Sequence, residues 1–377
     1  MKSRITEKAD PHPLTMCYTK VWLKLAKENH QWTWKRLPKS LRILFISILF
    51  FPIRIMDKIF YAPKISKANV GESPLFIIGH WRSGTTYLHT ILSQDPQWGY
   101  VKSIQAFMPG IEIMDIKWVK SILKKRMLKI RPHDNMPRGF DIPEEEEFAL
   151  SNLSTLGSYH SQWFPQNESY FKKYVLFNDI TDQEIEQWKN QYLKLLRRVV
   201  VYTGKNNLIL KNPPNTARIK ILLEMFPQAK FVHIYRNPCH IYSSTFNMYQ
   251  KAIVPQFLQE FSEQQIKERI FCWYEQIMKK FITQKSLIPQ GHLIEVRFED
   301  LEKNPVEVTK KIYSILNIPH FEKIQSKIET YLNSVSDYKK NPIDLDRYTL
   351  EEIKRRWLFA FKEWNYEIPT IARSLNV

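Results

Sequence analysis

Leu75-Phe76-Ile77-Ile78-Gly79-His80-Trp81-Arg82-Ser83-Gly84-Thr85-Thr86-Tyr87-Leu88 joins a short apolar run, a loop bounded by two glycines and the start of a second apolar segment. It predicts strand, loop and helix in that order. A loop of this kind turns the unpaired N–H groups of a helix N-terminus toward one point. With the helix dipole they form an anion site, most often for phosphate. Gly79 and Gly84 have the separation of the nucleotide-binding pattern G-x-x-x-x-G-K-[ST], and Thr86 stands where its hydroxyl belongs. Thr85 replaces the lysine, and the nearest cation, Arg82, lies on the other side of Gly84. That replacement disfavours a P-loop kinase or nucleotide hydrolase, because nothing on the loop reaches a γ-phosphate.

Outward from this stretch, strand and helix signals alternate. Strands are expected at Leu75, Leu208, Phe231 and Leu293, with helices from Thr85, Thr216, Pro238 and Pro305. Asn215-Thr216 reads as an N-cap. Thr181 and Glu184 form a capping-box pattern opening a helix that Gly204 closes. The alternation predicts a P-loop-type, three-layer α/β fold, a central parallel sheet flanked by helices, with a helical N-terminal extension and a helical insertion.

Arg82-Ser83-Gly84-Thr85-Thr86 resembles the 5'-phosphosulfate loop of the sulfotransferases that use 3'-phosphoadenosine-5'-phosphosulfate (PAPS), in which a basic residue precedes Ser-Gly-Thr-Thr. That family holds the 3'-phosphate of the donor with an Arg at a strand end and a Ser eight positions later. Here Lys230 to Tyr235 reads as the strand, Arg236 ends it and Ser244 follows at that spacing. The resemblance runs from about Ser73 to Leu316 and is similar to a broad, mostly bacterial branch. It implies that Arg82, Ser83, Gly84, Thr85, Thr86, Arg236 and Ser244 hold PAPS, with Lys339 and Lys340 in the region of the loop over the adenosine. It further implies that Lys211, ending the second core strand, faces the transferring sulfuryl group beside Arg82. The reaction implied is in-line attack of an acceptor hydroxyl, or less readily an amine, on the sulfur, releasing adenosine 3',5'-bisphosphate without a metal.

The general base departs from the better-known branches. Pro213 stands where many members place a histidine, and Lys102-Ser103-Ile104-Gln105 carries no acid where the tyrosylprotein branch places a glutamate. Candidates remain in Arg131 to Met136 and in the acidic run Pro143-Glu144-Glu145-Glu146-Glu147. Glu145 and Glu147 are preferred, as carboxylates near Arg82 and Lys211 able to take the hydroxyl proton. The bland alternative is a solvated acidic helix start after a proline. His80 and His89 are weaker candidates. The insertion from Val101 to Tyr202 carries Phe107, Trp118, Phe140, Phe148, Tyr159, Trp163, Phe164, Tyr170 and Phe171, and in this fold it covers the carboxyl ends of the strands. It is the expected source of an acceptor pocket, although core packing explains most of its rings.

The chain has 377 residues, 44% of them hydrophobic, enough for a sizeable core. Its three cysteines, Cys17, Cys239 and Cys272, have neither paired nor metal-like spacing, so no disulfide framework or zinc site is expected. The polar start reads as lacking a secretory signal, which predicts a cytoplasmic enzyme. The net charge of +18 is uneven. Residues 1–70 hold 14 Lys or Arg against 4 Asp or Glu, together with Trp22, Trp32, Trp34 and an apolar run from Ile43 to Ile53. Eleven residues interrupted by Pro52 are too few to span a bilayer. The pattern suits an extension lying on an anionic membrane, peripheral at its inner face, or one packing on the catalytic domain. The chain thus divides into a basic, aromatic extension, 1–70, and a sulfotransferase domain, 71–377. No nucleic-acid reader motif is present, so nucleic acid is not expected as a partner. A small-molecule or lipid-linked alcohol suits the aromatic insertion. A non-catalytic membrane-associated scaffold of the same fold is the remaining alternative.

Overall fold

The computed structural model describes residues 11–29, 34–114, 116–117, 120–121, 139–335 and 345–368. Four parallel strands form the sheet. β1 (Leu75–Ile78) lies between β2 (Ile209–Lys211) and β3 (Lys230–Tyr235), and β4 (Leu293–Arg297) completes the order β2-β1-β3-β4. All four residues of β1 are buried, as expected of a parallel strand covered on both faces. Side chains alternate between the faces. Phe76 and Ile78 join Leu210 and Phe231 in one core, while Leu75 and Ile77 join Ile209, Val232 and Ile294 in another. Helices Asp182–Thr203, Glu263–Gln284 and Arg347–Glu363 cover the first face. α4 (Thr85–Leu92), with helices Pro305–Ile315 and Phe321–Ser334, covers the second. Three layers result, as the alternating pattern predicts.

The register pairs Ile77 with Lys211 and Ile78 with His233. The carboxyl ends of β1, β2 and β3 therefore open on one edge of the sheet, where ligands bind in folds of this kind. The capping box at Thr181 and Glu184 and the left-handed Gly204 close helix Asp182–Thr203 as expected. The onset after β2 differs. A 3₁₀ turn, Pro213–Ala217, precedes helix Ile219–Met225, because the two prolines favour a tight turn and the Asn215 and Thr216 side chains are used elsewhere.

The described part of the N-terminal extension contains α1 (Thr19–Glu28), α2 (Leu37–Leu49) and α3 (Phe51–Lys67). It shares a core with later parts of the chain. Leu14, Val21, Trp22 and Ile43 pack with Tyr159, Trp163, Phe164 and Phe171. A buried ion cluster anchors α3. Arg198 donates to Asp57 at 2.9 and 3.1 Å and to Glu112 at 2.8 and 2.9 Å. Arg54, also buried, donates to the carbonyls of Met16 and Ser47 and lies over the Tyr18 ring. Removing one member of such a cluster leaves a buried charge unpaired, so the hairpin is held in a fixed pose.

Candidate active site

Two glycines set the backbone of the loop after β1. A side chain at Gly79 would meet the Ile234 carbonyl at 2.3 Å, and one at Gly84, whose φ is +102°, would meet the Phe298 ring at 2.2 Å. Gly84 N-caps α4, leaving the first N–H groups of that helix for a ligand. The Gly79 N–H is already committed to Thr216 Oγ1 at 2.7 Å, and the buried Ser83 hydroxyl donates to the His80 carbonyl. These bonds fix the base of the loop.

Arg82 has φ +70°, a left-handed conformation seldom adopted by a residue with a side chain. Such strain persists where the surroundings enforce it, characteristically at ligand sites. Here the Arg82 carbonyl accepts from Arg236 Nη1 at 3.2 Å, and Arg82 Nε donates to Ser244 Oγ at 2.9 Å. The residues of the two phosphate motifs, 154 and 162 positions apart from Arg82, are thus in direct contact. The Ser244 hydroxyl accepts from Arg82 and keeps its own proton to donate to an anion. Arg236 also lies over the Phe298 ring, 4.2 Å from its centroid. The arrangement fits a ligand with one anion at the α4 N-terminus and a second at Arg236 and Ser244.

Beside the loop, Lys211 ends β2 almost completely buried. Its Nζ donates to Glu145 Oε1 at 2.6 Å and to Thr86 Oγ1 at 3.3 Å. Glu145 is the N-cap of helix Glu146–Leu153, with extended backbone, which turns its side chain off the helix and toward the loop. Tyr159 donates from its hydroxyl to Glu145 Oε2 and accepts from Trp81 Nε1 at 2.9 Å. Burial and the Glu145 charge push the Tyr159 phenol well above its ordinary range, so it stays protonated as a donor. A carboxylate has about four acceptor positions, so two donors leave capacity for a substrate hydroxyl.

The neighbouring acids do different work. Glu147 is fully buried, ion-paired to Arg218 at 2.8 Å, and accepts from Asn212, Ser158 N–H and Ser158 Oγ. Despite burial, the Arg218 charge and these donors hold its carboxyl below the usual range. This saturated counter-ion within the core is not open to an acceptor, contrary to the expectation from its spacing. Glu146 points the other way, accepting from Tyr192 OH at 2.8 Å and Asn215 Nδ2 at 2.7 Å, and burial pushes its pKa up to about 7. Burial lowers His80 to about 3 and carries His89 well below its ordinary value, so both are neutral and neither contacts Glu145.

Trp81 and Tyr159 also line a cleft, with Gln162, Met248, Ile270 and Trp273 among its other walls. Of the insertion aromatics, Tyr159 lines this cleft, whereas Trp163, Phe164 and Phe171 are core. Trp118, the run from Arg131 to Met136, Lys339 and Lys340 lie outside the described residues. Among the described residues no group of three or more His, Cys, Asp or Glu is placed to hold a metal ion. No spacing in the sequence assigns a role to Trp81 or Arg218. Tyr159 appeared in it only as one ring among nine.

Comparisons with known proteins identify the family. Residues 74–323 match the model of the sulfotransferase family. The omega-hydroxy-beta-dihydromenaquinone-9 sulfotransferase Stf3 of Mycobacterium bovis is 26% identical over 358 residues, covering 94% of this chain and 91% of that protein. Among solved structures, the Mycobacterium avium sulfotransferase STF9 aligns with a TM-score of 0.66 at 14% identity, covering 94% of this chain and 98% of that one. STF1 of Mycobacterium tuberculosis aligns at 0.61 and 16%, covering 93% of each chain. The chain belongs to the sulfotransferase family. It is an enzyme that moves a sulfuryl group, of the family whose sulfuryl donor is PAPS.

Proposed function

We propose that this enzyme transfers the sulfuryl group of PAPS to a hydroxyl of a lipid-like acceptor, with Glu145 as the general base. The observation that carries the reading is the position of the Glu145 carboxylate. It is held by Lys211 beside the phosphate loop and by the hydroxyl of Tyr159, whose side chain lines the cleft together with Trp81 and Trp273. Two curated relatives act, by name, on omega-hydroxy-beta-dihydromenaquinone-9. An apolar acceptor suits the Trp81, Tyr159, Met248 and Trp273 walls of the cleft.

PAPS supplies the sulfuryl group and departs as adenosine 3',5'-bisphosphate. The loop N–H groups of Gly84, Thr85 and Thr86, with Ser83, hold the 5'-phosphosulfate. Arg236 and Ser244 hold the 3'-phosphate. Arg82 and Lys211 bear on the charge that develops on the sulfuryl and bridging oxygens, where losing one donor typically costs about 3 kcal/mol. Glu145 takes the acceptor proton, and the breaking of its bond to Lys211 frees that ammonium for the sulfuryl oxygens. Glu147 has no part in the transfer, and no role falls to a metal. The reading puts the enzyme in the cytoplasm, at the inner face of the membrane that holds its acceptor.

Calorimetric titration with adenosine 3',5'-bisphosphate tests the donor assignment, with adenosine 5'-monophosphate as control. Tight binding that is lost in Arg236→Ala and absent for the monophosphate is expected. Equal binding of the two nucleotides, or no effect of the substitution, would overturn it.

A further inference from the structure

The outer face of the α2–α3 hairpin is apolar. Leu41, Phe45, Ile48 and Leu49 on α2 and Phe51, Ile55, Met56, Ile59 and Phe60 on α3 are all exposed, with Phe45 at 68% and Ile59 at 64%. Their spacing of three and four residues places each set along one stripe of its helix. These stripes lie opposite the residues that pack inward: Ile43 and Ser47 on α2, and Arg54, Asp57 and Ile65 on α3. The hairpin is therefore apolar on the side that faces away from the core. Contiguous exposed apolar patches on a soluble surface mark a partner or a membrane.

The charge pattern selects between these. Arg42, Lys58, Lys64 and Lys67 are exposed beside the patch, while the one acidic residue from Leu37 to Lys67, Asp57, is buried against Arg198. The hairpin surface is thus apolar and cationic, with no exposed carboxylate. A protein partner would be held by the apolar face alone. An anionic bilayer takes both, the apolar side chains entering the acyl boundary and the lysines reaching the headgroups. No helix among the described residues is long and apolar enough to cross a membrane.

We infer that the α2–α3 hairpin is a membrane-docking surface for anionic lipid bilayers. The inference rests on the lipid-like acceptor proposed above and extends it, because the inner side of the hairpin leads to the cleft. Ile43 and Leu44 pack in the same cluster as Tyr159 and Trp81, and Lys39 Nζ donates to the Pro255 carbonyl at 2.6 Å, two residues from Ile253 of the cleft wall. Docking brings the cleft to the bilayer surface, so that a lipid alcohol reaches Glu145 without crossing bulk water. The buried Arg198 cluster makes the hairpin a rigid support rather than an insertion that folds on contact.

Vesicle flotation of the full chain tests this, using phosphatidylcholine vesicles with and without phosphatidylglycerol, alongside analytical ultracentrifugation without lipid. Wild type floats with the anionic vesicles and less so as salt rises. The double variant Phe45→Asp/Ile59→Asp, at exposed positions of the outer face, loses at least about tenfold in partitioning. Arg42→Glu/Lys58→Glu loses the preference for phosphatidylglycerol. Binding of adenosine 3',5'-bisphosphate is unchanged in both variants, which shows them folded and separates this test from that of the transfer reaction. Equal flotation of wild type and Phe45→Asp/Ile59→Asp would overturn the inference, as would absence of flotation from both vesicle types. A lipid-free dimer dissolved by the Phe45→Asp/Ile59→Asp change would instead make the face a contact between copies of the chain and would equally overturn it.

Discussion

Lys211 Nζ lies 2.6 Å from Glu145 Oε1, although the two residues are 66 positions apart and belong to different elements, the end of β2 and the N-cap of helix Glu146–Leu153. The pair joins a residue suited to stabilise the sulfuryl oxygens to one suited to take the acceptor proton. It also keeps each charge paired while the enzyme waits for its substrates.

Glu145→Gln keeps the shape and the Tyr159 contact but removes the base. General acid–base catalysis of this kind is worth about 10²–10⁴ in rate. The turnover number in labelled-PAPS assays is expected to fall within that range, with bisphosphate affinity unchanged. A variant within threefold of wild type would exclude Glu145 as the base.

Tyr159→Phe removes the donor to Glu145 Oε2 and leaves the Trp81 N–H without its acceptor. A hydrogen bond to a charged group is worth about 1.5–3 kcal/mol. Turnover should drop by about tenfold or more, measured under donor saturation, while the cleft stays lined and the donor still binds. An unchanged turnover would mean that Lys211 alone orients the carboxylate.

Glu147→Gln separates structure from chemistry. The substitution leaves Arg218 buried without its counter-ion, and breaking a buried pair costs about 3–5 kcal/mol. The urea midpoint should fall sharply, while the protein that remains folded at low denaturant turns over within a few-fold of wild type. Loss of turnover with an unchanged midpoint would give Glu147 the catalytic role instead.

Glu146 provides a pH dependence of stability. Burial raises its pKa from 4.5 in the unfolded chain to about 7 in the folded one. Between these values the folded state holds a proton that the unfolded state has released, so stability falls as pH rises through this window and stays at the lower level above it. Glu146→Gln is expected to abolish this component. Relative to wild type it should be stabilised at pH 8 by up to about 3 kcal/mol and little changed at pH 4.5, as read by denaturant titration at the two values. A wild-type advantage that grows with pH would contradict the assignment.

The loop and the sheet were legible because their constraints are local. A buried parallel strand shows as an unbroken apolar run, and Gly79 and Gly84 are fixed by contacts that admit no side chain. The spacing from Arg236 to Ser244 survives because both stand on one strand-to-helix connection. The choice among Glu145, Glu146 and Glu147 was not legible. Three adjacent acids at a helix start point in three directions, and which one meets Lys211 depends on the N-cap backbone at Glu145 and on Arg218 capturing Glu147 from 71 positions away. Trp81 and Tyr159 meet across 78 residues, which no spacing in the chain encodes. The extension offered two readings, packing on the domain or facing a membrane. The described hairpin has an inner apolar face that packs and an outer one that remains exposed.

Transfer of label from ³⁵S-PAPS tests the central claim most directly, with a hydroxylated isoprenoid quinone in detergent, a small phenol and an amino sugar offered together to wild type and Glu145→Gln. Label entering the quinone alcohol in preference to the two soluble acceptors, and lost with the substitution, is the predicted result. Label passing to the phenol or the sugar while the quinone alcohol stays unlabelled, or passing equally in the variant, would contradict the account.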